Sequence, residues 1–335
     1  MAITVEIKHV IAVCVSLWTC AYPAMCRTLH ESSVAKAHHD QWMIQYGRSY
    51  ANDAEKEKRF GIFKENLEYI EKFNNAWNMS YTLGLNKFSD LTEEEFMASH
   101  TGLNIGSSLG SDSVAAPLNS IDFQTSLDWR EEGAVTGVKD QGQCGSCWAF
   151  SAVAAVEGIY QIRTNQLVSL SEQNLMDCES NNEGCGGGGN EEDAFRYIAM
   201  HGIASESDYP YKGFDGTCRM IQPAVQIRGF RLVVGASEEQ LLQAVSMQPM
   251  SVSIAPGRDF YLYNGGVFDG PCGTELNHAV TIIGYGTTED GKKYWLIKNS
   301  WGLSWGENGY MRLLRESGQR GGVCLVAARV SYPIM

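Results

Sequence analysis

The chain has 335 residues, 44% of them hydrophobic, with a formal net charge of −13 and a pI near 5.0. That length supports one large or two smaller globular domains. The acidic balance argues against nucleic-acid or anionic-membrane partners. The only long apolar stretch covers residues 10–24, follows Lys8 and is interrupted by Ser16 and Thr19. It is shorter than the ~20 apolar residues of a membrane span and reads as a signal-peptide core cleaved near Ala24. The expected destination is the secretory pathway, either a vacuole- or lysosome-like compartment or the extracellular space.

Residues 25–122 read as a helical segment with no chemistry of its own. A first helical piece is expected over 38–46. Over 55–74, Phe60, Phe63, Leu67 and Ile70 form an apolar stripe at helical spacing, and Glu55 and Arg59 are four apart in ion-pairing order. Residues 81–90 alternate in character and predict a strand. Thr92 with Glu95 makes a capping box for a short helix to Ser99. Residues 102–119, rich in Gly, Ser and Ala, predict a flexible connector open to cleavage. Asn78 heads the single Asn-X-Ser/Thr glycosylation sequon, Asn-Met-Ser.

After the connector come helical runs over 148–163, 171–177 and 193–201. Strand-like runs follow over 225–234, 250–254, 278–285, 294–299, 309–314 and 324–331, with one helix over 237–246. A helical half followed by a strand-rich half predicts an α+β protein of two subdomains with a cleft between them.

Ten cysteines occur, three of them (Cys14, Cys20 and Cys26) in or beside the signal and seven from Cys144 onward. In an oxidising compartment six of seven can pair and one is left over. Cys144 and Cys147 lie three apart in the stretch Gln-Gly-Gln-Cys-Gly-Ser-Cys-Trp over 141–148. Cys147 opens the predicted helix, where unpaired N–H groups and the helix dipole favour a thiolate. Spacing alone leaves a structural disulfide open for either cysteine. A zinc site would need further ligands, and only His201 and His278 follow residue 122; no metal or cofactor is expected. A thiolate nucleophile needs a base and a group that orients it. His278 opens an apolar strand and Asn299 closes another, with Trp301 two residues on; as single residues, a core histidine and a turn asparagine are equally open readings. The side-chain N–H of Gln141 is a candidate donor to an oxyanion.

At these residues the chain resembles the papain-like cysteine proteases, with the texture of the plant branch. Cys-Gly-Ser-Cys-Trp at 144–148 is similar to that family's nucleophile signature, and His278 and Asn299 follow Cys147 by about 130 and 150 positions, near the family separation. Glu55, Arg59, Phe63, Asn66, Ile70 and Asn74 resemble one prosegment motif, and Gly84, Asn86, Phe88 and Asp90 a second. The resemblance implies a papain-like fold, with a helical left half, a β-barrel-like right half and an active-site cleft between, preceded by a helical prodomain. It implies a cysteine endopeptidase acting through a thioester, made as a zymogen. Its divisions are a signal peptide over 1–24, an inhibitory prosegment over 25–122 and a mature domain over 123–335.

By the same resemblance Cys147 is the nucleophile, His278 the base and acid, Asn299 the orienting residue, and Gln141 with the Cys147 N–H the oxyanion hole. Disulfides Cys144–Cys185, Cys178–Cys218 and Cys272–Cys324 are implied, leaving Cys147 free. Gly187, Gly188, Asn277, Ala279, Ser253, Arg329 and Trp301 fall where relatives bind substrate. Here the chain departs from the pattern. The glycine run over 186–189 is followed by Asn190 and is one residue longer, and Leu325 stands where relatives usually have glycine. Arg329, at the pocket floor, implies either acceptance of acidic or polar substrate side chains or pairing with a neighbouring acid. Expected partners are protein or peptide substrates, the chain's own prosegment and cystatin-type inhibitors, with the enzyme itself a monomer. Acid pH is expected to weaken carboxylate contacts of the prosegment and start autoprocessing.

Overall fold

The computed structural model describes residues 23–76, 79–105 and 124–335. All but the last two residues of the predicted signal, the Asn78 sequon, most of the connector and the expected maturation site at Phe123 lie outside these residues. The chain divides into two compact units, residues 1–71 and 72–335.

In the first unit, α1 (Pro23–Gln45) is followed by α2 (Asp53–Asn74), which ends just inside the second unit. The predicted stripe of α2 is buried: Phe60, Phe63, Asn66, Leu67 and Ile70. Trp42 and His39 of α1 pack against it, with the Trp42 and Phe63 rings 5.3 Å apart. Arg59 Nε donates to Glu55 at 2.7 Å, as the spacing predicts.

The second unit begins with β1 (Tyr81–Leu83) and α3 (Glu93–His100). The strand expected over 81–90 is only three residues long. Asn86 ends it, because its side-chain oxygen accepts from the Phe88 N–H while its own N–H donates to Ser89 Oγ, folding the chain into a turn. The capping box of Thr92 and Glu95 forms at the start of α3.

Then follow β2 (Leu127–Asp128), α4 (Cys147–Thr164), α5 (Glu172–Cys178), the single turn α6 (Gly184–Gly187) and α7 (Glu191–His201). The strand-rich part holds β3 (Gly229–Val234), α8 (Glu238–Val245), β4 (Met250–Ile254), α9 (Arg258–Tyr261), β5 (Tyr263–Phe268), β6 (His278–Thr287), β7 (Lys293–Lys298), β8 (Tyr310–Leu314) and β9 (Arg329–Ile334).

These strands form one sheet in the order β1-β5-β8-β7-β6-β4-β9-β3, with β2 on β6. Helix α4, buried along most of its length, packs on β6 and carries the cysteine side of the site; β6 carries the histidine side. β5 has no alternating signal in its sequence. It exists through its partners, antiparallel β1 and parallel β8. The strand expected from Cys324 begins only at Arg329. Cys324 and Leu325 take left-handed backbone (φ 51° and 61°), so the glycine that relatives place at Leu325 has a conformational reason. Among the described residues no helix is long and apolar enough to cross a membrane, and no His, Cys, Asp and Glu cluster could hold a metal ion.

Candidate active site

Three disulfides join Cys144–Cys185, Cys178–Cys218 and Cys272–Cys324. Cys147 is a free thiol, fully buried in the first turn of α4. Cys144–Cys185 ties the loop before α4 to the glycine run, so the thiol and that run are held side by side.

His278 is the first residue of β6 and is fully buried. Its Nε2 lies 2.9 Å from Asn299 Oδ1, which also accepts the Ser300 N–H at 2.8 Å. An amide oxygen can only accept, so Nε2 carries the hydrogen and Nδ1 keeps a lone pair. That Nδ1 is buried without a hydrogen-bond partner. The Trp301 indole stacks on the imidazole at 4.5 Å and 21°. Burial pushes His278 down to about 4, against the Asn299 bond, which favours the proton.

The thiolate expected at Cys147 is not the state this environment favours. Burial pushes the thiol up to about 12; backbone hydrogen bonds from Ala279 and others oppose this, and the Glu191 charge adds to it. A helix start offers a negative charge at most ~2 kcal/mol, less than full desolvation takes away.

The upstream segment packs on the site, within the same unit. The carbonyl of His100 accepts from Gln141 Nε2 at 3.1 Å and from Trp301 Nε1 at 3.2 Å. Gln141 is itself fixed: Nε2 donates to Cys144 O, Oε1 accepts from Ser300 Oγ at 2.6 Å, and its N–H donates to Ser300 O. Phe96 and Phe88 cover Trp301 edge-on, at 5.0 and 5.8 Å. Residues 102–105, expected to open a flexible connector, are pinned instead. The N–H groups of Gly102 and Leu103 both donate to Asn277 O at 3.1 Å, Gly189 N–H donates to Gly102 O at 3.0 Å, and Asn104 N–H donates to Gly189 O at 2.8 Å.

Backbone pairing therefore falls on Gly189, where Gly187 and Gly188 were the expected residues. Those two spend their groups inside their own loop: Gly187 N–H on Glu183 O, Gly188 N–H on Gly184 O, and Gly188 O on the Glu183 N–H. Gly102 lies so close that a Cβ on it would overlap the Gly145 carbonyl, and a Cβ on Gly188 would overlap the Gly102 carbonyl.

Ser253 and Ala279 face each other across β4 and β6, and Ala279 shares an apolar cluster with Cys147 and Leu103. Arg329 does not present a free guanidinium. Its Nη2 donates to Glu192 at 2.6 Å, both side chains being buried. Glu191 accepts from Ser253 Oγ at 3.1 Å. Neither Glu191 nor Glu192 stood out in the sequence, although an acidic pair directly after a glycine run and opening a helix is a readable signal. The His100 carbonyl had none, because a backbone group carries no sequence mark.

Residues 123–334 match the papain family cysteine protease model, and residues 39–96 match the cathepsin propeptide inhibitor domain. The thiol protease SEN102 of Hemerocallis is 49% identical over 292 residues, covering 84% of this chain and 81% of that protein. The senescence-specific cysteine protease SAG39 of Oryza sativa subsp. indica is 43% identical over 99% of both chains. Among solved structures, a recombinant stem bromelain precursor superposes with a TM-score of 0.82 at 44% identity, over 90% of this chain and 99% of that one. The free buried thiol, the fixed imidazole and the segment laid across them thus sit in a chain that belongs to the papain family: it is a cysteine endopeptidase made as a zymogen, with its own prosegment as inhibitor.

Proposed function

We propose that Cys147 is the nucleophile, His278 its base and acid, Asn299 the residue that orients the imidazole, and Gln141 the side-chain donor of the oxyanion hole. The thiol proton passes to His278 Nδ1. The thiolate adds to the scissile carbonyl carbon, and the oxyanion accepts from Gln141 Nε2 and the Cys147 N–H. His278 returns the proton to the departing amine, leaving a thioester. Water then attacks with His278 as base, releasing the acid and restoring the thiol.

The observation that carries this reading is the His100 carbonyl on Gln141 Nε2. A prosegment carbonyl occupying the donor that an oxyanion needs supports both the role of Gln141 and inhibition by occupancy. Gly189 rather than Gly187 or Gly188 then pairs with the substrate backbone, with Asn277 O opposite, while Ala279, Ser253 and Arg329 border the neighbouring pocket and Trp301 shields His278.

The domain reading is a signal peptide over 1–24, a prosegment over 25–122 and a mature enzyme over 123–335. It is supported by the apolar N-terminal run and the two family matches. Passage through the secretory pathway to a vacuole or the exterior, glycosylation at Asn78, a monomeric mature enzyme and inhibition by cystatin-type proteins complete the reading. The test is labelling by a thiol-directed epoxide. The mature enzyme should incorporate one equivalent at Cys147 and lose peptide hydrolysis, and the intact precursor should label at least tenfold more slowly. Full hydrolysis by a Cys147→Ser enzyme would overturn the assignment.

A further inference from the structure

Beside the thiol the pocket wall is not apolar. Glu191 and Glu192 open α7, and Arg329 opens β9. The charges of Glu192 and Arg329 cancel at 2.6 Å. Glu191 has no ion-pair partner within hydrogen-bond reach; it accepts from the Ser253 hydroxyl at 3.1 Å and is bonded by its own backbone N–H, with the Arg329 charge acting from further off. It is 1% exposed and lies near enough to Cys147 for its charge to act on the thiol. Three buried polar atoms here lack a hydrogen-bond partner: Glu191 Oε2, Glu192 Oε1 and Arg329 Nε. Two are acceptors and one a donor, and the net charge with Glu191 ionised is negative. In the zymogen the prosegment lies next to this wall, with Leu103 in the cluster of Ala279 and Cys147 and Asn104 paired to Gly189.

The geometry points to a pocket that takes a basic substrate side chain, lysine or arginine, at the second residue on the acyl side of the scissile bond, with Glu191 as the recognition carboxylate; this rests on the reading of Cys147 as the attacking thiol. An apolar side chain leaves two carboxylate oxygens without a donor, and an orphaned buried acceptor is costly. An acidic side chain meets a carboxylate, because the arginine that could draw it is already engaged. A cation satisfies both oxygens. Glu191 is pushed up to about 7 by burial and by the Glu192 charge; a bound cation reverses that push and holds the carboxylate ionised. Sites built around a buried polar group discriminate strongly against ligands that leave it unpaired.

The test uses the mature enzyme and three fluorogenic dipeptides that differ only in that residue: arginine, leucine or glutamate. The arginine substrate should have a kcat/KM at least equal to that of the leucine substrate and at least tenfold above the glutamate one. Glu191→Gln should lower the arginine-to-leucine ratio at least tenfold. A wild-type enzyme that cleaves the leucine substrate better, or a Glu191→Gln ratio within twofold of wild type, overturns the inference. The wild-type profile decides alone if the variant does not fold. Epoxide titration separates the two readings: labelling at Cys147 with a leucine preference overturns only the pocket, whereas absence of both labelling and hydrolysis overturns the nucleophile assignment as well.

Discussion

The carbonyl oxygen of His100 lies 3.1 Å from Nε2 of Gln141, so a backbone group upstream of the peptidase domain occupies the donor proposed for the oxyanion. That amide is braced by Cys144 O and Ser300 Oγ before any substrate arrives. Preorganised donors are effective because no reorganisation is left for the moment of reaction. Gln141→Ala in the mature enzyme should lower kcat about 10²–10³-fold with a small change in KM, measured by steady-state peptide hydrolysis.

Over residues 102–104 the prosegment meets the rest of its unit backbone against backbone. Gly102 sits between Gly145 and Gly188 with no room for a Cβ. Gly102→Ala should therefore lift residues 102–104 off Asn277 and Gly189 and speed precursor processing at least tenfold at fixed pH, followed by gel densitometry. A processing rate equal to wild type would show that this packing does not hold the segment down.

The buried imidazole and thiol contribute to the pH response of the precursor, and the Glu191 and Glu172 carboxyls, which burial raises to about 7, oppose the imidazole below pH 7. His278 is held near 4 against an ordinary value of 6.5, so the unfolded chain binds the extra proton between those values. Stability from this group is complete above pH 6.5 and is lost as pH falls towards 4, by up to about 3 kcal/mol. Cys147 acts at the other end: raised from 9 to about 12, its contribution is complete below pH 9 and is lost as pH rises towards 12. Between pH 6.5 and 4 the thermal midpoint of a catalytically silent Cys147→Ala precursor should lose more than that of the same precursor carrying His278→Asn, and equal slopes would exclude the imidazole as a contributor.

Acid processing was expected to act through prosegment carboxylates. The described contacts of residues 80–87 run the other way: Lys87, Tyr81 and Ser80 donate to Asp140, Asp259 and Asp269. Protonating those acceptors weakens the same contacts. Purified precursor should mature at least tenfold faster at pH 4 than at pH 7, and equal rates would exclude acid triggering.

The pair of Arg329 and Glu192 is buried and close, so removing one partner leaves an uncompensated charge. Glu192→Gln should cost about 3 kcal/mol, read as a lowered denaturation midpoint. A double replacement, Glu192→Leu with Arg329→Met, should recover most of it, because two buried charges are then removed together.

Much of the molecule was legible in its residues. The stripe of α2, the capping box at Thr92 and the helix opening at Cys147 are local patterns, and local patterns form wherever the chain runs. The odd cysteine count left one thiol over, and the three disulfides do leave Cys147 free. β5 was not legible, because Asn264, Gly265 and Gly266 carry no strand signal and the strand is imposed by its neighbours on both sides.

By itself the sequence determined which residues could do chemistry: a cysteine at a helix start, a histidine and an asparagine at strand ends, and a glutamine upstream. Tertiary structure decided their state. Cys147 is a neutral thiol in the precursor because Leu103 and Gly102 close over it and take away the water that would hold a thiolate. It is Gly189, one past the expected glycine, that pairs outward, because Glu183 and Gly184 consume the groups before it. Arg329 is paired with Glu192 of a different element, the alternative of a neighbouring acid that its position had left open. Ionisation and charge pairing depend on what lies within a few ångströms in space, and one-dimensional order does not carry that distance.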